Sequence, residues 1–400
     1  MAKWMAEVAV VGGGPAGLTA ALALGRAGVE TALVSRRPAR DHRTTALLLG
    51  SVTALDALGV WTRCQAQAAP LRAMRIVDDT ARLLRAPEIK FEAGEIGLDA
   101  FGYNIENRHL LAALDAGVEK IPAISRIEDE ASAVVIGGDD VTIGLKSGDE
   151  LSARLVVGAD GRRSLCRAAA GIQSDSRSYP QTALTFNLLH ARPNENISTE
   201  FHTPAGPFTL VPLPGRRSSL VYVTDPATAR SVADMDDAAL AAELERRAHS
   251  ILGKLTIEAG RGVFPLAVEM ARRFAAERVA LVGEAAHVLP PIGAQGLNLG
   301  LRDAATIAEV VVDSRRAGAD IGGADLLSRY DALRRPDVTA RTLAVDLLNR
   351  TLLSDFLPLQ GARQFGFSLL RCLGPLRRAV MREGIAPAAS QPRLMRGEAL

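Results

Sequence analysis

The stretch Val8-Ala9-Val10-Val11-Gly12-Gly13-Gly14-Pro15-Ala16-Gly17 decides how this chain is read. Four consecutive apolar residues fit a buried parallel strand. The glycines that follow supply G-x-G-x-x-G, and the pattern predicts a helix from Pro15 to about Ala27, stopped by Gly28. Thr31-Ala32-Leu33-Val34 then reads as a second strand. In such a unit Gly12 permits the tight turn, Gly14 lets the backbone approach a pyrophosphate, and Gly17 allows close helix–strand contact. The helix start offers free N–H groups and partial positive charge to that anion. Strand, loop, helix and strand in this order make a dinucleotide-binding unit. An acidic residue is expected after the second strand, to grip ribose hydroxyls, but Ser35 stands there, followed by Arg36 and Arg37. Two arginines at that place suit a ribose 2′-phosphate, so an NADP reading stays open beside that of a solvated loop.

Four hundred residues suit about two domains. Apolar residues are 48% and charged residues 23%, ordinary for a globular chain, and the net charge of +2 makes no general case for nucleic acid. Cys64, Cys166 and Cys372 form no CxxC, and the six histidines form no HxxxH, so neither a disulfide framework nor a metal site is expected. That usage fits a reducing cytosol. The start does not read as a signal peptide, and Gly, Pro, Arg26 and Glu30 argue against a membrane span over 15–34.

Two later segments narrow the reading. Val141–Leu145 and Glu150–Val157 predict a hairpin whose second strand ends in Gly158-Ala159-Asp160-Gly161-Arg162-Arg163-Ser164. This delivers one carboxylate to the sheet edge where ligands bind in open α/β sheets, although Asp-Gly also makes simple turns. Arg278–Val282 is another buried-strand run. It leads into Gly283-Glu284-Ala285-Ala286-His287 and Pro290-Pro291-Ile292-Gly293-Ala294-Gln295-Gly296-Leu297-Asn298, with a helix expected from about Gly296 to Val312. Backbone N–H groups at that helix start would stabilise the negative charge of a reduced flavin, and Glu284 could reach ribityl hydroxyls.

Together these motifs resemble the flavin-dependent aromatic monooxygenases of the para-hydroxybenzoate hydroxylase fold, and within them the hydroxylases of ubiquinone biosynthesis. Further phrases carry the likeness: Arg43-Thr44-Thr45-Ala46-Leu47-Leu48, Asn107-Arg108-His109-Leu110, Arg177-Ser178-Tyr179-Pro180-Gln181, and Gly296-Leu297-Asn298-Leu299-Gly300-Leu301-Arg302-Asp303. It runs from about residue 6 to 385. The resemblance implies an α/β fold: a Rossmann-like FAD-binding domain (1–70, 101–176 and 273–335) interleaved with an antiparallel-sheet substrate domain (71–100 and 177–272), then C-terminal helices and tail (336–400). It implies that Gly12, Gly14 and Gly17 hold the FAD pyrophosphate, with Ser35 at the adenosine ribose. Arg43 and Arg108 would contact FAD, Asp160 and Gly161 would lie near its phosphates, and Gly283 and Glu284 near the ribityl chain. Pro291 would lie beside the isoalloxazine, and Gly293, Gly296, Leu297 and Asn298 along its pyrimidine side. Three residues depart from the family pattern: Ser35 for the common Glu, Glu284 for Asp, and Ala294 for Gly.

The activity so implied is hydroxylation, with O2, of an aromatic and polyprenylated substrate through a flavin C4a-hydroperoxide. Electrons would come from NAD(P)H or a redox protein, since no second dinucleotide fingerprint is present. Pro291 is the residue expected to flank the reactive face. His287 is the nearest candidate base, set against a structural role in the turn; His190, His202 and Tyr222 are weaker candidates in the β-rich roof. A flavin reductase or dehydrogenase of the same fold, and a non-catalytic flavin-binding accessory protein, stay open.

From Arg334 to Leu400 there are eleven Arg against five Asp plus Glu, while the rest of the chain has a slight acidic excess. Leu343, Leu347, Leu348 and Leu352, then Ala362, Phe365, Leu369, Leu370 and Leu373, recur at helical spacing among Arg363, Arg371, Arg377, Arg378 and Arg382. This segment reads either as helices packed on the FAD domain with solvated arginines, or as a surface over 343–382 that touches anionic lipid. The expected location is cytoplasmic, with peripheral contact at the inner face of the membrane under the second reading.

Overall fold

A computed structural model describes residues 3–37, 41–80, 85–353, 357–385 and 391–400. Its first sheet runs, in spatial order, through Ala275–Ala276, Val279–Leu281, Glu150–Gly158, Lys3–Val11, Thr31–Val34 and Ile124–Ile127. The four contacts from Val279–Leu281 across to Ile124–Ile127 are parallel. Such strands are covered on both faces, and Val8, Val10, Leu33, Val156 and Ala280 are correspondingly sealed from solvent. The register sets Val11 opposite both Gly158 and Val34, and Gly158 opposite Leu281. The strands therefore end level, and Gly12, Ser35, Ala159 and Val282 leave the sheet at one edge. The hairpin expected at 141–157 is present and hangs from this sheet as an antiparallel arm.

The second sheet forms a roof. It runs through His287–Val288, Gly262–Ala271, Ser174–His190, Arg217–Thr224, Gly206–Leu213, Ile197–Thr203, Ala73–Asp78 and Ile89–Glu92. Side chains alternate across each strand. Leu184, Phe186, Leu188, Leu220 and Tyr222 pack outward under Ala229, Val232, Leu240 and Leu244. Gln181, Ala183, Thr185 and Asn187 take the opposite face. The Asn187 amide donates to the His42 carbonyl at 3.2 Å, so this inner face is turned toward the dinucleotide-binding unit.

Two helices, Pro226–Ala233 and Asp237–Arg247, cover the roof's outer face. Asp225 caps the first and Asp236 the second by accepting backbone N–H groups, so the acidic run Asp234–Asp237 is a break between helices. The long roof strand Ser174–His190 shifts register against Gly262–Ala271 between Ser178 and Thr182, which lets the chain pass Pro180. The helix after the flavin loop, hereafter the loop helix, spans Gln295–Arg316. The boundary expected at 335/336 falls inside an unbroken helix, Ala324–Leu353, that runs through Pro336. This crossing helix ties the first sheet to the roof. The tail helices Leu357–Cys372 and Gly374–Ile385 pack not on the dinucleotide-binding unit but on the roof's far end, where Phe367, Leu370 and Met381 meet Ile89, Phe91 and Phe101. The side chains of Leu348, Leu352, Ala362 and Arg363 lie outside the described residues.

Candidate active site

The glycine loop divides its labour. A Cβ on Gly12 (φ +118°) would meet the Ala159 carbonyl oxygen at 2.2 Å, and one on Gly17 would meet the Gly12 oxygen at 2.1 Å. These two glycines let the chain pack on itself. A Cβ on Gly14 would meet nothing within 4 Å, so that position faces open space. The helix Pro15–Arg26 begins there with no side-chain cap and no acidic residue in its first turn, leaving its N–H groups for an anion. Next to it Ser35 is buried, and its Oγ has no hydrogen-bond partner. Buried hydroxyls are normally paired, so a ligand hydroxyl at this place would complete it. The NADP reading fails here. Arg36 is paired with Glu130, and Arg37 bonds Glu128 at 2.9 Å, so neither is held for a 2′-phosphate.

Asp160 follows the strand Glu150–Gly158, beside Gly12. Its carboxylate accepts from the Ser164 hydroxyl (2.6 Å) and the Cys166 N–H (3.1 Å), starting the short helix Leu165–Ala169. The carboxylate is thus spent on shaping the turn, and Gly161 (φ +79°) completes it. Arg43 is half-exposed, held by both oxygens of Asp41 and lying 5.7 Å from the Phe264 ring centre. The Asp41 hydrogen bond raises its pKa, and the Glu284 carboxylate adds to this, which places Arg43 and Glu284 on one side of the site. Arg108 bonds Glu106 at 2.9 Å and stays half-exposed.

The third segment is open in front and closed behind. In front, Glu284 and Pro291 are exposed, Gly283 and Gly293 take positive φ, and so does Ala294 at +53°. Left-handed backbone costs a residue with a Cβ about 1 kcal/mol, so Ala294 holds the loop shape at some strain. The loop helix begins immediately after, with no side-chain cap and no acidic residue in its first turn, and a Cβ on Gly296 would meet nothing within 4 Å. The N–H groups of Gly296 and Leu297 are free of the helix's own ladder. The Asn298 side chain does not face a ligand. It donates to Ala46 and Ala294 carbonyls and accepts from Leu48 N–H and Ser51 Oγ, all within 2.7–2.8 Å. It fastens the loop helix to the strand Thr44–Leu48.

Behind the loop lies a buried charge cluster that includes the candidate base. His287 is sealed from solvent and its Nε2 is 2.7 Å from Asp303. This corrects its assignment: a ring shut inside the protein and held by a carboxylate cannot reach a substrate. Asp303 also accepts from the Gly283 N–H (3.0 Å) and the Arg334 guanidinium (2.7 Å). Arg334, Arg302 and Arg341 converge on Asp337. Burial pushes the Asp303 carboxyl up, but Arg334 and His287 outweigh it and hold it below the usual range. The roof candidates are also engaged elsewhere. His190 bonds the Arg192 carbonyl and Ser218, His202 bonds Glu200, and Tyr222 is buried on the outer face. Asp303 was missed as a structural centre. The signal was there in Leu299, Asp303 and Ile307 at i, i+4 and i+8, one carboxylate within an apolar stripe.

Two uncapped helix starts, a glycine open to a phosphate, an orphaned hydroxyl at the ribose end and a roof over the loop define the site of a flavoprotein, and the residues present fit FAD. The chain belongs to the FAD binding domain family, whose model matches residues 5–344. It is 35% identical to "Ubiquinone hydroxylase UbiL" of Rhodospirillum rubrum, over 98% of this chain and 93% of that one. It is 32% identical to the 3-demethoxyubiquinol 3-hydroxylase of Escherichia coli, over 94% and 97% of the two chains. Among solved structures, p-nitrophenol 4-monooxygenase of Pseudomonas putida shares the fold, with a TM-score of 0.80 at 21% identity over 98% of this chain and 100% of that one.

Proposed function

We propose that this protein is an FAD-dependent monooxygenase that uses O2 to hydroxylate the aromatic ring of a polyprenylated ubiquinone precursor. The observation that carries this reading is the likeness to ubiquinone-pathway hydroxylases over nearly the whole chain, combined with an apolar cluster on the roof. Bound FAD supplies the electron transfer and oxygen activation. The chain supplies the surroundings. Gly12, Gly14 and Gly17 seat the pyrophosphate, and Ser35 meets the ribose. Gly296 and Leu297 N–H groups stabilise negative charge on the ring system. Pro291 borders the reacting face. Ala183, Val223 and Leu266, clustered on the roof, keep water out. None of the buried histidines serves as the base, so orientation of an already electron-rich ring does the work.

Leu343 and Leu347 on the crossing helix, Phe365, Leu376 and Val380 on the tail helices and Leu373 between them are exposed, as are Arg371 and Arg382. Among the described residues no helix is long and apolar enough to cross a membrane. This surface docks on anionic lipid, where a polyprenylated substrate resides. Flotation with anionic but not neutral vesicles supports the contact, and equal behaviour with both removes it. The activity is tested by single turnover: dithionite-reduced holoprotein is mixed with O2 and a 2-alkylphenol. One labelled oxygen from 18O2 in the product establishes the reaction, and reoxidation without product refutes it.

A further inference from the structure

The inner face of the roof carries a polar group that none of the packing explains. Asn349, near the end of the crossing helix, is fully buried. Its Nδ2 donates to Gln181 Oε1 at 3.0 Å, and Gln181 Nε2 donates to the Ala205 carbonyl at 2.8 Å. This chain of amides has a fixed direction. The Ala205 carbonyl can only accept, so Gln181 must turn its NH2 there and its oxygen toward Asn349. Asn349 must then answer with its own NH2. Its Oδ1 is left over, buried and without a partner. Neither amide can flip without breaking a bond, so the orphan is an acceptor by necessity. Thr342 Oγ1, two turns earlier on the same side of the helix, is a second buried polar atom without a partner.

The helix places these atoms between loop and roof. Arg341 donates to Gln295 Oε1 at 3.2 Å, at the start of the loop helix. Asp346 accepts from the Tyr179 hydroxyl at 2.6 Å, on the roof. From Arg341 to Asn349 the helix rises about 12 Å, so Thr342 and Asn349 span the distance from the flavin loop to the roof. Gln181 belongs to the inner-face set with Ala183, and Ala183 pairs with Phe264, whose ring is 38% exposed beside Arg43. The unpaired acceptor thus stands beside the inner face of the roof, next to the strand that carries Ala183 and its partner Phe264. A buried acceptor without a partner is costly, a penalty that a ligand O–H removes.

We propose that Asn349 is the specificity-determining residue for the substrate's phenolic hydroxyl: its Oδ1 accepts the phenol O–H, while Gln181 keeps the amide turned toward the ring. This rests on the reading of the protein as a ring hydroxylase. It adds which functional group on the ring is recognised, and by what.

The test uses FAD-loaded protein titrated with a 2-alkylphenol and with its methyl ether, following the flavin absorbance and then turnover. Sites that hydrogen-bond a substrate hydroxyl strongly reject the analogue lacking it. Wild type is expected to bind the phenol on the order of tenfold tighter than the ether, the effect of about 1.4 kcal/mol. In Asn349→Leu that ratio is expected to fall to about one, with FAD content unchanged. Asn349→Ala, which only makes room, repeats the measurement if the leucine does not fit. A wild-type ratio near one, or a variant that keeps the wild-type ratio while hydroxylating the phenol, overturns the assignment and leaves the proposed function standing. A wild-type holoprotein that neither binds nor oxidises the phenol overturns both.

Discussion

Behind the turn from Gly283 to Asn298, Asp303 is bonded by the Gly283 N–H, His287 and Arg334, all out of water. In front of it, Gly296 and Leu297 begin a helix that no side chain caps. The two sides are a few residues apart and built on opposite rules. The back spends charge to fix the backbone. The front leaves hydrogen-bonding groups unspent, because a cofactor completes them. The glycine loop repeats the contrast on a smaller scale, with Gly12 and Gly17 pressed on backbone and Gly14 open. At these two places the carboxylate-bonded backbone is scaffold and the uncapped helix start is where a cofactor fits, although the scaffold also keeps unpaired atoms of its own, His287 Nδ1, Arg302 Nε and Arg334 Nη2.

The largest expected effect comes from breaking the back. Asp303→Asn removes the carboxylate and leaves Arg334 buried with one partner fewer, and should cost about 3–5 kcal/mol in denaturant unfolding. The same change fixes a pH dependence. The folded-state pKa of Asp303 lies below its unfolded value, so its stabilisation is complete above about pH 4 and is lost as pH falls through the depressed folded value. The stability gap between wild type and Asp303→Asn should then narrow in acid; a gap that widens there would contradict the assignment. Next comes the front. Gly14 has φ −72° and ψ 172°, open to any residue, so Gly14→Val should leave the apoprotein's melting temperature unchanged. It should weaken FAD binding on the order of a hundredfold, about 2.7 kcal/mol, as measured by titrating apoprotein with FAD.

His287→Gln sharpens the line between scaffold and chemistry. It should cost about 1–2 kcal/mol of stability by weakening a buried hydrogen bond, while single-turnover hydroxylation per bound FAD stays at the wild-type level. Tenfold slower turnover at full FAD occupancy would restore His287 to the chemistry. The smallest effect is expected at Ala294→Gly. Relief of the left-handed backbone and the added freedom of glycine in the unfolded chain are each about 1 kcal/mol and oppose each other. Melting temperature should barely move, whereas the flavin absorbance spectrum reports any shift of the loop.

What the sequence made legible was local. The run from Val8 to Gly17, the Asp160-Gly161 turn and the loop around Pro291 each carry a composition that one backbone geometry requires, so their places in the fold could be read directly. The stripe around Asp303 marks a buried carboxylate, but its partner Arg334 reaches it only once the crossing helix is laid across the loop helix. The same holds for Asn349 and Gln181, which are 168 residues apart and meet through tertiary packing. Pro336 misled as a boundary, since proline's preference for helix starts yields where packing holds the turns on both sides. Arg36 and Arg37 left a phosphate reading open beside that of a solvated loop, and the sequence alone did not show their partners Glu130 and Glu128, some ninety residues on.

The order of strands in the first sheet has a consequence for how the protein is made. Lys3–Val11 is made well before its neighbour Glu150–Gly158, and the strand Val279–Leu281 that completes the first sheet comes later still. At roughly 5–20 residues per second, the N-terminal strand waits several seconds for its first distant partner and tens of seconds, at the slower rates, for the last. Until then Thr31–Val34 pairs one edge of it and the other edge is unpaired. The candidate cofactor site, which draws on both the glycine loop and the loop helix, is therefore complete only once the chain has been made through the loop helix.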